Sequence, residues 1–274
     1  MSISTARVPH DWSAGRRSAG APSARSLLFT ILGEFVLPSG GEVWAGSAVR
    51  GLRSLGVEEK AARQAIARTA ADGWLTGERV GRRTLWRLTG ACTDLLSAGA
   101  ERIYSFGESQ ENWDGRWVLL FVDEANGERH HLRTRLAWAG FGPLRSGAWI
   151  AAHTEREAEA RNALAGTNAV SFVATSGEIG DPSEVIAQAW DLDALEDRYE
   201  EFVATFECAH PETDEDAFVS LTRLVHAWRK FPFLDPGLPR RLLPRRWTGD
   251  RAQGLFEDSR REWGPGARRW FAHT

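Results

Sequence analysis

The sequence predicts an α+β protein in three parts: an N-terminal winged helix-turn-helix, a central ferredoxin-like βαββαβ domain and an all-α C-terminal domain. Three observations lead there. Between Ser26 and Thr89, three helical stretches run directly into a hairpin that carries arginines. From Trp117 to Val173, strand and helix signals follow in the order β-α-β-β-α-β, that of a ferredoxin-like sandwich. Beyond Gly177 only helical periodicity recurs. The expected boundaries are 1–23 for a disordered arm, 24–104 for the winged helix with a linking helix, 113–176 for the sandwich and 177–274 for the helical part.

A chain of 274 residues exceeds one average domain, and an apolar content of 42% suffices for ordinary packed cores. No apolar run approaches the roughly 18–20 residues that a membrane span needs, so no membrane partner is expected. Ser, Ala, Gly, Pro and Arg dominate residues 1–23, which lack the apolar core of a signal peptide. A cytoplasmic protein is the expectation. Cys92 and Cys208 belong to no ligand-spaced cluster and read as small apolar side chains. The net charge of −3 hides an asymmetry: residues 1–103 hold 14 basic and 9 acidic groups, 174–219 hold 1 and 14, and 220–274 hold 12 and 5. That pattern points to a polyanion partner at one end of the chain.

Ala24–Leu37 sets Leu27, Leu28, Ile31, Leu32 and Phe35 on one broad helical face, ended by Pro38-Ser39-Gly40-Gly41. A second helix runs from about Val43 to Ser54, with Trp44, Ala48 and Leu52 inward, and Gly56 supplies a positive-φ turn. The third helix spans Glu58–Asp72. Ala62, Ala65, Ile66 and Thr69 share its inner arc; Lys60, Gln64, Ala67 and Ala71 share the outer one, flanked by Arg63 and Arg68. A major groove about 12 Å wide admits such a helix, and Arg or Gln can contact guanine or adenine bidentately. Trp74–Thr76 and Thr84–Leu88 alternate as strands, so Arg79, Arg82 and Arg83 fall near the tip of a basic hairpin, suited to phosphates or a minor groove. Trp74 and Trp86 are expected to seat the hairpin on the helices. The candidate DNA-binding residues are therefore Lys60, Arg63, Gln64, Arg68, Arg79, Arg82 and Arg83. Arg63 and Gln64 are the expected readers of base edges.

Thr89–Tyr104 reads as a linking helix. Trp117–Val122 is a continuous apolar run, suited to a strand covered on both faces. Helical Glu128–Ala139, strands Phe141–Leu144 and Ala148–Ala152, helical Glu155–Ala165 and strand Val170–Val173 complete the central set. Helices are then expected at Pro182–Trp190, Asp193–Phe206, Asp216–Phe231 and Ala252–Trp263, with the proline-rich 231–239 not helical throughout. Glu196–Glu215 reads as a solvated acidic face, or as a partner for the basic C-terminal quarter.

Several phrases together resemble the PaaX family of bacterial repressors, which control phenylacetate and related aromatic catabolism. They include Gly56-Val57-Glu58, Asp72-Gly73-Trp74-Leu75, Gly81-Arg82-Arg83 and Arg87-Leu88-Thr89. Trp113-Asp114-Gly115-Arg116-Trp117, Gly140-Phe141-Gly142, His226–Pro232 and Asp235-Pro236-Gly237-Leu238-Pro239 follow in order. The resemblance covers about residues 24 to 270. It implies the same three-part architecture, a homodimer on double-stranded operator DNA, and release by an aryl-CoA thioester such as phenylacetyl-CoA. Ala62 and Thr69 depart from it, standing where bulkier aliphatics are common.

Other chemistries find little purchase, and neither a catalytic residue nor a metal or cofactor is expected. Asp123, closing the first central strand, resembles the acidic position of CRISPR-associated nucleases of this fold, so a metal-dependent nuclease is the alternative reading. His130 and His131 are adjacent and diverge on a helix rather than sharing a metal. Neither Gly-x-Ser-x-Gly nor a phosphate-cradling Gly-x-x-x-x-Gly-Lys motif occurs. A CoA-ester sensor acting through protein partners is a third possibility. The effector site is not assigned; one candidate wall joins His226, Arg229, Arg240 and Arg241 to Trp228, Phe231 and Phe233, and the alternative for these groups is an arginine-rich structural cap.

Overall fold

The Ser23 hydroxyl accepts the Ser26 N–H at 3.1 Å and caps helix α1 (Ala24–Ile31). The computed structural model describes residues 22–107, 113–123, 129–145, 147–165 and 167–273, so nearly all of the expected arm lies outside the described residues. These form two compact units, and neither is continuous in sequence. One is Met1–Tyr104 with Thr205–Arg229 and Gly254–Thr274; the other is Ser105–Ala204 with Lys230–Gln253. This partition crosses the sequential division at residue 177, because apolar faces beyond residue 204 pack with the N-terminal helices.

In the first unit, α1 does not run regularly to Leu37. Leu32–Val36 forms a π turn and Leu37–Ser39 a 3-10 turn. The irregular stretch carries Glu34, a carboxylate that apolar spacing alone does not place inside. Buried Glu34 accepts a hydrogen bond from the Tyr104 hydroxyl and lies 3.4 Å from Arg260 Nε, whose guanidinium sits over the Tyr104 ring at 3.9 Å. Burial, then the Glu34 charge, pushes the Tyr104 hydroxyl well above its usual range.

Three residues, Glu42–Trp44, form strand β1 where the sequence suggested the start of a helix; α2 (Ala45–Ser54) begins after them. Its end is a Schellman turn: Val57 N–H reaches Leu52 C=O at 3.0 Å, Gly56 N–H reaches Arg53 C=O at 2.8 Å, and Gly56 has φ +88°. Helix α3 (Glu59–Ala71) ends in the same motif at Gly73, φ +80°. Ala62, Ala65, Ile66 and Thr69 are its buried positions. Strands β2 (Leu75–Val80) and β3 (Arg83–Leu88) make a longer hairpin than alternation predicts, and the sheet order is β1-β3-β2. Trp74 is buried edge-on to Phe29 at 6.1 Å, whereas Trp86 lies across Gly77, where a Cβ would stand 2.8 Å from the ring. Helix α4 (Gly90–Tyr104) follows, with Cys92 buried.

Helix α9 (Asp214–Trp228) opens with a capping box between Thr213 and Asp216. Its Phe218 is fully buried among Phe35 (4.9 Å), Trp270 (4.6 Å) and Phe271 (5.6 Å). A Cβ on Gly51 would stand 3.1 Å from that ring, so α2 approaches α9 closely. Helix α11 (Gly249–Ala272) runs well past Trp263 and keeps Pro265 inside it. Its aromatic pair Trp270 and Phe271 packs on Phe218, and Gly266 lets α11 approach α9, where a Cβ would meet Ala217 at 3.3 Å. Packing outweighs the one lost backbone bond.

The second unit centres on β4 (Arg116–Val122), α5 (Arg129–Trp138), β5 (Gly142–Pro143), β6 (Ala148–Ala151), α6 (Arg156–Ala163) and β7 (Ala169–Thr175). All pairs are antiparallel in the order β5-β6-β4-β7, which is what a ferredoxin-like connection requires. Val118, Leu120 and Val122 pack on Leu132, Leu136 and Ala160 of the helices. The opposite face departs from the expected two-sided cover. It is bare at Phe121, Val170 and Phe172, and among the described residues no helix covers that end. Helices α7 (Pro182–Ala189), α8 (Leu192–Phe206) and α10 (Phe231–Leu234) follow, and no strand comes after β7 among the described residues. Parts of the acidic stretch have partners: Glu196 of this unit accepts from Thr248 N–H at 2.9 Å, and in the first unit exposed Asp214 pairs with Arg269 at 2.7 Å. Cys208, expected to be apolar filling, is exposed.

Asp235, in the proline-rich stretch, is buried; it accepts from Tyr199 OH at 2.7 Å and Gly237 N–H at 2.7 Å. Burial raises its carboxyl above the usual range. A raised folded-state value means its stabilising contribution is whole below the ordinary carboxyl range and is lost as pH rises through the folded value. Asp235→Asn keeps an acceptor for Gly237 without the charge. Urea unfolding at pH 5 and pH 8 should therefore show the variant gaining on wild type as pH rises; a constant difference would contradict this.

Candidate nucleic-acid interface

The residues singled out on α3 and the hairpin are all exposed: Lys60, Arg63, Gln64, Arg68, Arg79, Arg82 and Arg83. Ala62 and Thr69, fully buried, let α3 sit against its neighbours, and Thr69 Oγ1 returns to Ala65 C=O at 2.8 Å. Arg25 ties α1 to the α3 terminus through Asp72 at 2.6 Å. The outer face of α3 thus stands free of the core. The hairpin follows directly after Gly73 and packs on α3 through β2.

The turn of the hairpin is Gly81-Arg82, with Gly81 at φ +62°, between the register pair Val80 and Arg83. Arg82 is therefore at the tip, while Arg79 and Arg83 lie in the strands. Arg83 stacks over Trp44 at 4.8 Å, a contact that spacing could not foretell. Arg87 bonds Glu42 and Glu78 and is spent within the sheet. On α3, Arg63 donates from Nε (3.0 Å) and Nη2 (2.7 Å) to Glu59, whose other oxygen is 3.7 Å from Arg53 of α2. The Arg63 hydrogen bond, then its charge, holds the Glu59 carboxyl below its usual range. Among the described residues, Lys60, Gln64, Arg68 and Arg82 have no polar partner. Arg50 and Arg53 of α2 are also exposed and enlarge the basic surface. The sequence carried the Glu59–Arg63 pair as an i, i+4 spacing, but it gave no weight to Arg50 and Arg53.

Elsewhere the suggested effector wall is committed to packing. His226 is buried 2.9 Å from Thr30 Oγ1, Arg229 donates to Ser26 at 2.6 Å, and Trp228 is buried. Phe231 stacks on Tyr199 at 4.2 Å; Arg240 donates to Pro244 and Arg245 carbonyls; Arg241 covers Trp113 at 4.5 Å. Among the described residues, the second unit contains these two clefts. One of about 320 Å³ has apolar walls including Trp117, Leu119, Ile150 and Val185 and no Lys or Arg. Another of about 830 Å³ is lined by Asp181, Asp191, Asp193 and Arg241. Asp123 is exposed, its N–H on Asn168 C=O at 3.0 Å, and the side chains of His130 and His131 lie outside the described residues.

Three family profiles match this chain in order: "PaaX-like protein" over residues 23–92, "PaaX protein central Cas2-like domain" over 110–186 and "PaaX-like protein C-terminal domain" over 190–273. The "Transcriptional repressor PaaX" of Escherichia coli (strain K12) is 30% identical over 249 residues, covering 85% of this chain and 78% of that one. The chain belongs to the PaaX-like family. A solved structure, "Uncharacterized protein Rv0674 from Mycobacterium tuberculosis", is 22% identical with a TM-score of 0.61, covering 91% of this chain and 99% of that one; it speaks for the fold alone. The first PaaX-like segment contains every candidate DNA-binding residue, and the central one contains Asp123. No described helix is long and apolar enough to cross a membrane.

Proposed function

We propose that this PaaX-like protein is a cytoplasmic, homodimeric DNA-binding repressor, not an enzyme, and that residues 24–104 act as a winged helix-turn-helix. The observation that carries this reading is the free cationic face of α3 beside an arginine-tipped hairpin. A relative named as a transcriptional repressor supports it and favours regulation over nuclease chemistry at Asp123. Lys60, Arg63, Gln64, Arg68, Arg79, Arg82 and Arg83 form the DNA surface. Residues 113–176 serve as a ferredoxin-like domain and 177–274 as a helical domain.

The homodimer finds support in the bare sheet face. Phe121 and Phe172 meet edge-on at 5.9 Å beside exposed Val170, and β7 carries no charged residue. A two-fold axis apposes a patch to its own copy, so an uncharged patch sets no like charges together. The family resemblance implies an aromatic-catabolic operon and an aryl-CoA thioester effector such as phenylacetyl-CoA. Fluorescence anisotropy on DNA upstream of the protein's own gene tests the whole reading. Binding by two protomers per site, reversed by phenylacetyl-CoA, is expected. Tight binding that ignores acyl-CoA thioesters would remove the effector, and absence of binding would remove the repressor.

A further inference from the structure

We infer that Gln64, rather than Arg63, reads a base edge in the major groove, and that the base it selects is adenine. The inference rests on the reading of α3 as the DNA-contacting helix and says which chemistry that helix recognises.

Lys60, Gln64, Ala67 and Ala71 recur at i, i+4, i+7 and i+11, and all four are exposed. At 100° per residue they make one stripe along the crest of α3. Gln64 lies in that stripe and has no polar partner among the described residues. Its carboxamide offers one donor and one acceptor side by side, which match N7 and the 6-amino group of adenine. Ala67 and Ala71 end at Cβ, so nothing on the crest beyond Gln64 holds the helix away from the groove floor. Ala67, three residues on, presents a methyl group of the kind that contacts the thymine methyl.

Arg63 lies 100° around from Gln64, toward Glu59. Both its Nε and its Nη2 are already directed at one Glu59 oxygen, at 3.0 and 2.7 Å. The other Glu59 oxygen faces Arg53, so the carboxylate draws Arg63 toward α2 and away from the crest. Glu ahead of Arg at i, i+4 is the favourable order for such a pair. A guanine contact would need Arg63 to give up that carboxylate beside a polyanion, leaving Glu59 facing phosphates alone. Arg63 therefore serves at the flank, as a positive charge kept in place, and Glu59 is its positioning residue.

The test is selection of full-length protein on a randomised duplex library, followed by sequencing, for wild type, Gln64→Glu and Arg63→Ala. Wild type is expected to select adenine at one position of each half-site. Gln64→Glu should change that position to cytosine, whose amino group a carboxylate accepts, with its neighbours unchanged. The wild-type preference at that position should be about 5- to 150-fold. Arg63→Ala should keep the adenine and weaken binding to all sequences alike. Loss of a guanine preference in Arg63→Ala, with Gln64→Glu unaltered, would overturn the inference. Salt-dependent binding without any selected position would overturn it too, while leaving the DNA-binding reading intact. Absence of duplex binding by wild type would instead end that underlying reading, and this one with it.

Discussion

Replacing Phe218 with alanine is expected to destabilise the protein by about 3–5 kcal/mol, the usual range for emptying a phenylalanine site in a closed core. Phe218 is 0% exposed and its ring meets Phe35, Trp270 and Phe271. The cavity cannot collapse easily, since α2 already approaches to the limit that Gly51 allows. The effect reaches α1–α3, because the residues around Phe218 come from both ends of the chain. A urea titration followed by tryptophan fluorescence and far-ultraviolet dichroism should show the transition of the first unit at a lower midpoint. A near-wild-type midpoint would mean that α9 and α11 are not part of the core that supports α1–α3.

The second large effect concerns charge. The triple variant Lys60→Ala, Arg68→Ala, Arg82→Ala removes three exposed cations without touching the core. If each meets a phosphate, the slope of log affinity against log salt falls by about 0.9 per residue, or about 2.7 in all. A fourfold rise in salt would then cost the variant about 40-fold less affinity than it costs wild type. Unfolding midpoints should stay close to wild type, as surface substitutions away from caps and pairs usually do. An unchanged slope would take these residues out of the interface.

Much of this surface was legible in sequence, for a physical reason. The inner and outer arcs of α3 differ in chemistry at every turn, so helical spacing alone separates buried Ala62, Ala65, Ile66 and Thr69 from exposed Lys60, Gln64 and Arg68. Gly56 marked the end of α2 because only a positive φ closes its Schellman turn; Gly73, at φ +80°, closes α3 the same way. What local pattern could not reveal were contacts made at long range. Glu34 reads as the polar side of a helix, yet its partners Tyr104 and Arg260 lie far along the chain. Pro265 reads as a helix stop, but Trp270 and Phe271 beyond it find Phe218. Trp117–Val122 reads as a fully covered strand, since composition cannot say that the cover ends before Phe121. Within the site, the hairpin arginines were placed by spacing to within a residue or two. Arg83 over Trp44 and Arg63 on Glu59 needed coordinates.

On the proposed reading, the outer crest of α3 enters a DNA major groove. Its most direct test is a photo-crosslinking phenylalanine derivative at Ala67, an exposed position with no side chain beyond Cβ. With duplex bound and the site illuminated, crosslinks are expected to bases on the major-groove side at one position in each half-site. Efficient crosslinking from a position on β7, with none from position 67, would contradict it.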